Sequence, residues 1–452
     1  MSIPLNGRIA IIDDEIEQAL PLIRALAQKK YACQYFSGAV NSLPEESNSG
    51  SDIRLLFLDI NLFGNAKPPD KQIESALINV LGRVISASNF PWVLIYWSRH
   101  EGEYDGLVRG IFENPLRDRR PISILSQQKG DYFTLNGDPV PGVDTRIDAL
   151  FTAISSQLQQ EPAYRQLIEW ENLIHHSADK TLRDIFSALH VHSNWTDNAN
   201  YLIDRLGKGY AGKTPLTKTP EGKIRSAFQA MNSVFSDTLE YTVNNALIPE
   251  PVDLPVGSDH TKEGIYKVNK KLLLSEDIEI LDYSGMAIAD SNPSADREYK
   301  NLLNNSFNRS KIMEEMGPGP LESKVIDKRC SEMRHGIMDT WKRIYLVVTP
   351  LCDFVQQKAI NVKYVKGFLI REDFEKYIDN RSEAIFISPK FRYEEATYAL
   401  VLNFRYFYAG ELGNAPGHSA PLFRVRQALL AEIQSKLARH ISRQGVLFLE
   451  DV

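Results

Sequence analysis

The sequence predicts a chain in three parts: a doubly wound parallel α/β sheet, a helical middle section and a C-terminal α+β domain. Three observations support this prediction. Short, continuous apolar runs alternate with helical patterns over the first 160 residues, and long helical patterns fill residues 161–250. Beyond residue 256 the apolar segments are rich in β-branched and aromatic side chains, which is typical of strands.

Four apolar runs in the first third predict parallel strands, because strands that are buried on both faces of a sheet read as continuous apolar segments. These runs are RIAIID at 8–13, LLFLDI at 55–60, WVLIYW at 92–97 and PISIL at 121–125. The helix after the first run is expected to present one face made of Ile16, Leu20, Ile23, Leu26 and Ala27. The helix after the second is expected to present Ile73, Leu77, Val80, Leu81 and Val84. Residues 1–160 are therefore predicted to form an open α/β sandwich.

The predicted secondary structure changes at two points in the remainder of the chain, near residue 161 and near residue 256. A proline-rich segment at 249–259 follows the helical middle section and marks a boundary. After it, a mostly antiparallel sheet is predicted from RIYLVVTP, AINVKYVKGFLI, AIFISP and ATYALVLNFRYFYA. A last helix is expected from about Arg424 to Arg443. The predicted domains are therefore 1–160, 161–250 and 256–452.

Composition limits the classes of function. With 452 residues, of which 43% are apolar, the chain is long enough to bury large cores. Its net charge of -6 disfavours extensive coating of nucleic acid but leaves room for a local basic face. Three widely spaced cysteines give neither a disulfide framework nor a zinc-binding spacing. A cytoplasmic protein without a signal peptide or a membrane span is expected.

Three acidic residues follow two of the predicted strands. Asp13 and Asp14 end the first strand and Asp59 ends the second. The carboxyl ends of parallel strands meet in one crevice, where such folds place their chemistry, so these carboxylates are expected to lie together. Because they would repel one another and offer hard oxygen ligands, the sequence predicts a Mg²⁺ site.

Two further polar residues lie at the ends of the remaining strands, Ser98 and Lys129. A hydroxyl, an amine and a metal are suited to stabilising an acyl phosphate on Asp59, since a phosphoryl group adds about -1.5 to -2 charges. The segments IIDDE, LFLDINLFG, LIYWS and LSQQK carry this pattern, and with them the first third resembles the receiver domain of bacterial response regulators.

The resemblance implies a set of roles. Asp13, Asp14 and Asp59 would hold Mg²⁺ together with the carbonyl group of Asn61, and Asp59 would take a phosphoryl group from a sensor histidine kinase. Ser98 and Lys129 would sense it. Three features depart from the family: the intervals from Asp59 to Ser98 and on to Lys129 are longer, Arg99 follows the hydroxyl, and Gly130 replaces the usual proline. Arg99 would either obstruct the site or clamp the phosphate.

The segment GKGYAGKT at 207–214 matches the phosphate-loop pattern G-x-x-x-x-G-K-[ST]. Such a loop needs a strand before it and a helix starting at its end, whereas here a helical pattern precedes it and Pro215 follows it. We therefore interpret the segment as a basic, glycine-rich connector between helices. Nucleotide binding stays open as the alternative, with hydrolysis that is lost in Lys213→Ala as its test.

Other signals have simpler explanations. The paired histidines (His175 with His176, and His190 with His192) are interpreted as polar helix ends, and Cys352 as a buried cysteine at a strand end. The region 421–445 contains five basic residues against one acid: Arg424, Arg426, Lys436, Arg439 and Arg443. A solvated helix face is the simpler explanation, and nucleic-acid binding is the alternative.

These observations predict a phosphoacceptor signalling protein with no independent catalytic activity beyond gain and loss of its own phosphoryl group. Its expected partners are a sensor histidine kinase and a second protein that contacts the helical or C-terminal part, with a homodimer as a further possibility. A role in bacterial phage defence is predicted by association, not from any residue. The alternatives are a pseudo-receiver scaffold that acts only through protein contacts, and a nucleic-acid-binding output through the basic C-terminal helix.

Overall fold

The computed structural model divides the chain into two compact units. The first contains residues 1–192 and 232–255, and the second contains residues 193–231 and 256–452. The structure describes residues 4, 7–45, 52–63, 68–98, 102, 104–132, 134, 138–158, 161–187, 194–211, 219–246, 261–275, 283–317, 322–351, 353, 361–411 and 420–442. The domain boundaries at 160/161 and 250/256 stay predictions.

The first unit is built on a parallel sheet of five strands. Its elements, in chain order, are β1 (Ile9–Ile12), α1 (Ile16–Gln28), β2 (Cys33–Phe36), β3 (Leu55–Asp59), α2 (Asp70–Val84), β4 (Val93–Ser98), α3 (Asp105–Glu113), β5 (Ser123–Gln128), α4 (Val143–Leu158) and α5 (Pro162–Phe186). The strand order is β2-β1-β3-β4-β5, with every pair parallel. This is the order of flavodoxin-like doubly wound sheets, in which the chain reverses direction across the sheet between β1 and β3.

Helices cover both faces of this sheet, which explains the continuous apolar runs. Along each central strand alternate residues enter two separate cores, since successive side chains of a strand point to opposite faces. One core combines residues such as Ile11 and Phe57 with side chains from α1, α4 and α5. The other combines residues such as Ile12 and Leu58 with side chains from α2 and α3. The predicted doubly wound α/β sheet is confirmed.

Two details of this unit differ from the sequence prediction. The prediction missed β2, because this edge strand is only partly buried and its sequence, CQYF, does not form an apolar run. In α1 the buried face contains Ala19, Leu22 and Leu26, whereas Ile16 is 38% exposed. All five apolar residues predicted for α2 are buried.

Helix α5 packs on the first sheet through both apolar and polar contacts. Tyr164 enters the core, and its hydroxyl donates a hydrogen bond of 2.6 Å to the carbonyl oxygen of Arg54. The guanidinium of Arg54 lies 3.1 Å from a carboxylate oxygen of Glu171, which also forms an ion pair with Arg8. These side chains are largely buried, so the contacts fix the first half of α5 against the sheet.

Two more long helices complete the middle section, α6 (Trp195–Ala211) and α7 (Pro220–Asn245). The first five residues of GKGYAGKT belong to α6, so the connector predicted for them is wrong, while Lys213 and Thr214 lie outside the described residues. A Cβ atom at Gly207 would lie 2.5 Å from the carbonyl oxygen of Lys223 on α7. Gly207 therefore permits close packing of two helices, and its backbone does not form a phosphate-binding turn.

The second unit combines helices with an antiparallel sheet, as predicted. Its further elements are α8 (Lys262–Leu273), β6 (Leu274–Ser275), β7 (Met286–Ala289), α9 (Asp296–Ser306), α10 (Arg309–Met316), α11 (Ser323–Thr340), β8 (Lys342–Val347), β9 (Asn361–Arg371), α12 (Glu372–Glu375), β10 (Ile385–Ile387), β11 (Phe391–Tyr393), β12 (Ala396–Glu411), β13 (Pro421–Val425) and α13 (Gln427–Ile441). The strand order is β10-β12-β9-β8-β7-β13-β6, and β11 pairs with β12.

The last helix starts three residues later than predicted. Arg424 and Val425 belong to β13, which pairs antiparallel with β7 and β6, and α13 begins at Gln427. On this helix Leu429, Ile433 and Leu437 are buried against the sheet, whereas Ile441 is 57% exposed. Two of the five residues of β13 were thus assigned to a helix, because a short strand that pairs with distant segments has no strong local pattern.

Leu77→Ala is expected to lower the free energy of unfolding by about 2–5 kcal/mol, because it leaves a cavity under α2. Leu77 is fully buried in the core formed with the sheet. The matched control is Leu167→Ala on α5, where the leucine is 49% exposed and a loss below about 1 kcal/mol is expected. Urea unfolding measures both, and equal losses would contradict the predicted packing of α2.

Candidate functional site

The candidate site lies at the carboxyl ends of the strands of the parallel sheet. Asp13 follows β1, Asp59 ends β3, and Lys129 follows β5 directly. The two-residue alternation places Asp13 and Asp59 on the sheet face that carries Ile11 and Phe57. Because β1 and β3 flank the point where strand order reverses, the two carboxylates lie where doubly wound sheets bind their ligands.

Lys129 connects the two carboxylates. Its Nζ donates a hydrogen bond of 3.1 Å to Oδ2 of Asp13 and forms an ion pair with Oδ2 of Asp59. The relative exposures of Asp13, Lys129 and Asp59 are 0%, 4% and 6%. A buried amine between two buried acids is held by charge as well as by hydrogen bonds.

The other oxygen of each carboxylate accepts a backbone hydrogen bond. The amide of Glu15 donates to Oδ1 of Asp13, and the amide of Asn61 donates to Oδ1 of Asp59, each over 3.1 Å. The hydroxyl of Tyr35 donates over 2.6 Å to the backbone carbonyl of Asp13. Both carboxylates are therefore oriented by the backbone, with Oδ2 directed toward Lys129.

Burial and like charge dominate the electrostatics of Asp13. Burial, followed by repulsion from Asp59, raises the pKa of Asp13 from 3.8 to about 7, although Lys129 acts in the opposite direction. For Lys129, burial favours the neutral amine, but the attraction of Asp59 and Asp13 outweighs it and raises the pKa. The amine of Lys129 is thus protonated, and the carboxyl group of Asp13 binds a proton more readily than an ordinary aspartate does.

Asp14 adds a third carboxylate. One ligand oxygen from each of Asp13, Asp14 and Asp59 can be chosen so that all three lie within 4.8 Å of one another. Asp14 is only partly buried, whereas the other two acids are buried, so the group combines an enclosed side with a solvent-facing side. Three hard oxygen ligands with access to water suit Mg²⁺, which usually retains several waters. These residues therefore could hold a divalent cation, and their chemistry fits the predicted metal.

The structure shows how Lys129 reaches this site despite the long interval in the sequence. Strand β4 pairs residue by residue with β5, so that Ser98 lies opposite Gln128, and Lys129 follows. The intervening chain contains α3 and a 3₁₀ turn at Arg117–Arg119. The extra residues between β4 and β5 therefore leave Lys129 at the carboxyl end of β5, next to the site.

Two of the predicted site residues are less fully defined. Ser98 ends β4 at the same edge of the sheet, but its side chain lies outside the described part of the structure. Arg99 also lies outside it. The backbone of Asn61 contacts Asp59 through the hydrogen bond given above. The roles given above to the predicted site residues stay predictions; these residues are Asp13, Asp14, Asp59, Asn61, Ser98 and Lys129.

Three aromatic residues near the site were missed by the sequence reasoning. Trp97 pairs with Asp59 in the sheet register, is 1% exposed, and has its ring 5.8 Å from Phe57 and 6.3 Å from Tyr132. Tyr132 follows the 3₁₀ turn that begins at Lys129, and its amide donates to the Lys129 carbonyl. Tyr35 lies on the edge strand that was not predicted. The cross-strand register was needed to find these residues.

The remaining candidates do not add to this site. His175 and His176 are consecutive in the middle of α5, so the interpretation of this pair as a polar helix end is wrong, and their side chains point in different directions. His190, His192 and Cys352 lie outside the described residues. No helix in the described part of the chain is long and apolar enough to cross a membrane.

Comparison with known proteins did not identify a family for this chain. No protein-family model matches the chain, and no curated protein matches it either. Among solved structures, full-length FixJ from B. japonicum matches over 54% of this chain and 100% of its own, at 13% sequence identity and a TM-score of 0.21. A TM-score at this level does not establish a shared fold, so the fold assignment rests on strand order and packing.

Proposed function

We propose that the first unit is a phosphoacceptor, in which Asp59 receives a phosphoryl group with the help of Mg²⁺. The observation that carries the proposal is the position of Lys129, which is shared by Asp13 and Asp59 at the strand-order reversal, beside a third carboxylate. Such a concentration of charge is costly to bury. An ordinary structural ion pair would need one carboxylate for one lysine, not three.

The residues divide the chemistry between them. A carboxylate oxygen of Asp59 attacks the phosphorus atom, a new P–O bond forms, and the bond to the donor breaks so that the donor leaves with the electron pair. The amide of Asn61 holds Oδ1 of Asp59 during this step. Asp13 and Asp14, with the Asn61 carbonyl, would hold Mg²⁺, which neutralises charge on the transferring group when bound.

Lys129 provides the charge that the product needs. An acyl phosphate on Asp59 would replace a charge of -1 by about -1.5 to -2. The Lys129 ammonium already contacts Asp59, so it can pair with an oxygen of the new group after a small movement. Lys129 would then contact Asp13 and Asp59 less closely, which couples phosphorylation to the end of β5 and to Tyr132 beside it.

The donor and the output are part of the proposal. We infer that the donor is a phosphohistidine of a sensor kinase, and that phosphorylation changes contacts made by the helical or C-terminal part with another protein. Domains at 1–160, 161–250 and 256–452, a homodimer and a place in phage defence are further hypotheses.

The fluorescence of Trp97 offers a test, since this residue is the cross-strand neighbour of Asp59. Adding beryllium fluoride with Mg²⁺, which mimics a phosphoryl group on a carboxylate, is expected to change the emission of the parent in a saturable way. The same addition to Asp59→Ala is expected to have no effect. Trp97→Phe should remove most of the change, which separates it from the other four tryptophans.

A change that persists in Asp59→Ala would contradict the proposal. The complete lack of a response in a folded parent protein, by fluorescence and by calorimetry, would favour the pseudo-receiver scaffold instead.

A further inference from the structure

The second unit contains a basic pocket that the phosphoacceptor proposal does not use. It lies between the segment that precedes β10 and the last two turns of α13, and its volume is about 230 Å³. The first segment contributes Asn380, Arg381, Ser382, Glu383 and Ile385, and the helix contributes Lys436, Arg439 and His440. The pocket is smaller than the roughly 300–1,000 Å³ that drug-sized ligands occupy.

Three permanent cations converge on this pocket against one acid. Lys436 has two weak partners, since its Nζ lies 3.5 Å from a carboxylate oxygen of Glu432 and 5.0 Å from the centre of the Phe386 ring. Arg381 and Arg439 are exposed and form no ion pair with another described residue. Glu383 is the acidic member of the lining. The lining itself thus carries three cations and one acid, and Asp379 and Glu432 are further acids close to it.

The pocket also contains groups that can donate hydrogen bonds. The Ser382 hydroxyl and the Asn380 amide are both part of the lining. Nδ1 of His440 is buried and has no hydrogen-bond partner in the described part of the chain. Because this nitrogen is not accessible from the pocket, only the serine hydroxyl and the asparagine amide are counted as donors to a ligand.

Two other arginines of the basic segment, Arg424 and Arg426, have contacts elsewhere, and Arg443 lies outside the described residues. The guanidinium of Arg424 lies 5.5 Å from the centre of the Tyr283 ring. Nε of Arg426 donates to the backbone carbonyls of Lys271 and Leu274, over 2.7 and 3.0 Å. These two arginines serve contacts within the unit. A surface that follows a nucleic-acid backbone needs cations spread along a face, whereas Arg381, Lys436 and Arg439 line one small pocket.

We propose that this pocket binds a single phosphate monoester group of a small molecule or a modified side chain. Arg381 and Arg439 belong to the two segments that line the pocket, and each would contribute a planar fork of N–H donors, which suits the tetrahedral oxygens of phosphate. Lys436 adds a point charge. The small volume favours one phosphate group over a polymer.

Calorimetric titration of the full chain with inorganic phosphate tests the proposal. It is done at constant ionic strength and with EDTA present, so that the carboxylate site of the first unit contributes no metal-dependent binding. Saturable binding with one site is expected for the parent. Arg381→Gln/Arg439→Gln is expected to bind at least tenfold more weakly, and Arg297→Gln, which changes an exposed arginine on α9 outside the pocket, is expected to bind as the parent does.

Titrations with adenosine 5′-monophosphate and with O-phosphoserine then distinguish a small molecule from a modified side chain as the source of the phosphate group. Binding of either compound more tightly than inorganic phosphate supports the proposal and identifies the source. Absence of phosphate binding by the parent would overturn it, as would equal binding by the double variant. Salt-dependent binding of DNA without binding of phosphate would also overturn it, in favour of a nucleic-acid surface. The single variant Arg381→Gln lies outside helices and strands, so it reports on binding even if the double variant is destabilised.

Discussion

Lys129→Met is expected to lower the free energy of unfolding of the metal-free protein by about 3–5 kcal/mol, because it leaves two buried carboxylates without their shared cation. Lys129, Asp13 and Asp59 are all nearly inaccessible to water. Their mutual repulsion would then be reduced only by binding a proton. Saturating Mg²⁺ is expected to restore a larger part of the stability in the variant than it adds in the parent, since the ion supplies positive charge at the same carboxylates.

Urea unfolding at neutral pH, with EDTA and with Mg²⁺, measures both effects. The matched control is Lys71→Met, which removes an exposed lysine from α2 and should change the free energy of unfolding by less than about 0.5 kcal/mol. A loss below about 1 kcal/mol for Lys129→Met would show that the buried charges are not arranged as described.

Asp13→Asn/Asp14→Asn is expected to reduce the rate of phosphoryl uptake by at least about a hundredfold, because both residues are proposed ligands of Mg²⁺ and metal stabilisation of a transferring phosphoryl group is worth several kcal/mol. Asparagine keeps the shape of each side chain and the acceptor for the backbone amide of Glu15. The variant should therefore fold, and its metal-free form is expected to lose the repulsion between Asp13 and Asp59.

The rate is followed with acetyl phosphate as donor, and Mg²⁺ affinity is measured in parallel by calorimetry. Asp52→Asn serves as the control, since this acid is exposed and lies before β3. Uptake by the double variant at the parent's rate would contradict the proposal that Asp13 and Asp14 bind Mg²⁺. Loss of uptake with unchanged Mg²⁺ affinity would mean that the metal binds elsewhere.

The central strands of the first unit were predictable because burial on both faces leaves a strong local signal. The runs that became β1, β3 and β4 contain almost only apolar residues. The edge strand β2 is paired on one side and partly exposed, so CQYF gives no such signal. The local pattern also predicted the buried face of α1 only in part. Ala19 and Leu22 are buried because of the way in which α1 packs on the sheet, and this packing is not visible in the sequence of the helix.

The acids of the site were predictable for a different reason. A carboxylate directly after a buried strand must lie at the edge of the sheet, so Asp13 and Asp59 could be placed together from the sequence. The contact of both with Lys129 required the register between β4 and β5, which no spacing in the sequence specifies. The same holds for Trp97 and its contact with Tyr132.

In the second unit, the four segments predicted as strands became β8, β9, β10 and β12, whereas the short strands β6, β7, β11 and β13 were missed. The segments that became β9 and β12 are long and rich in β-branched and aromatic residues, and they pair with each other. Strand β13 has five residues and depends on β7 and β6, which are distant in sequence. The basic pocket likewise combines α13 with the segment at 380–385, so the sequence of the basic helix alone could not reveal the shape of the pocket.

Intact-mass measurement after incubation with Mg²⁺ and acetyl phosphate tests the role of Asp59 most directly. One added phosphoryl group is expected on the parent protein, and none on Asp59→Ala or on the parent with EDTA. No addition to a folded parent, under conditions in which a known receiver domain is phosphorylated, would contradict it. So would an addition of the same size to Asp59→Ala.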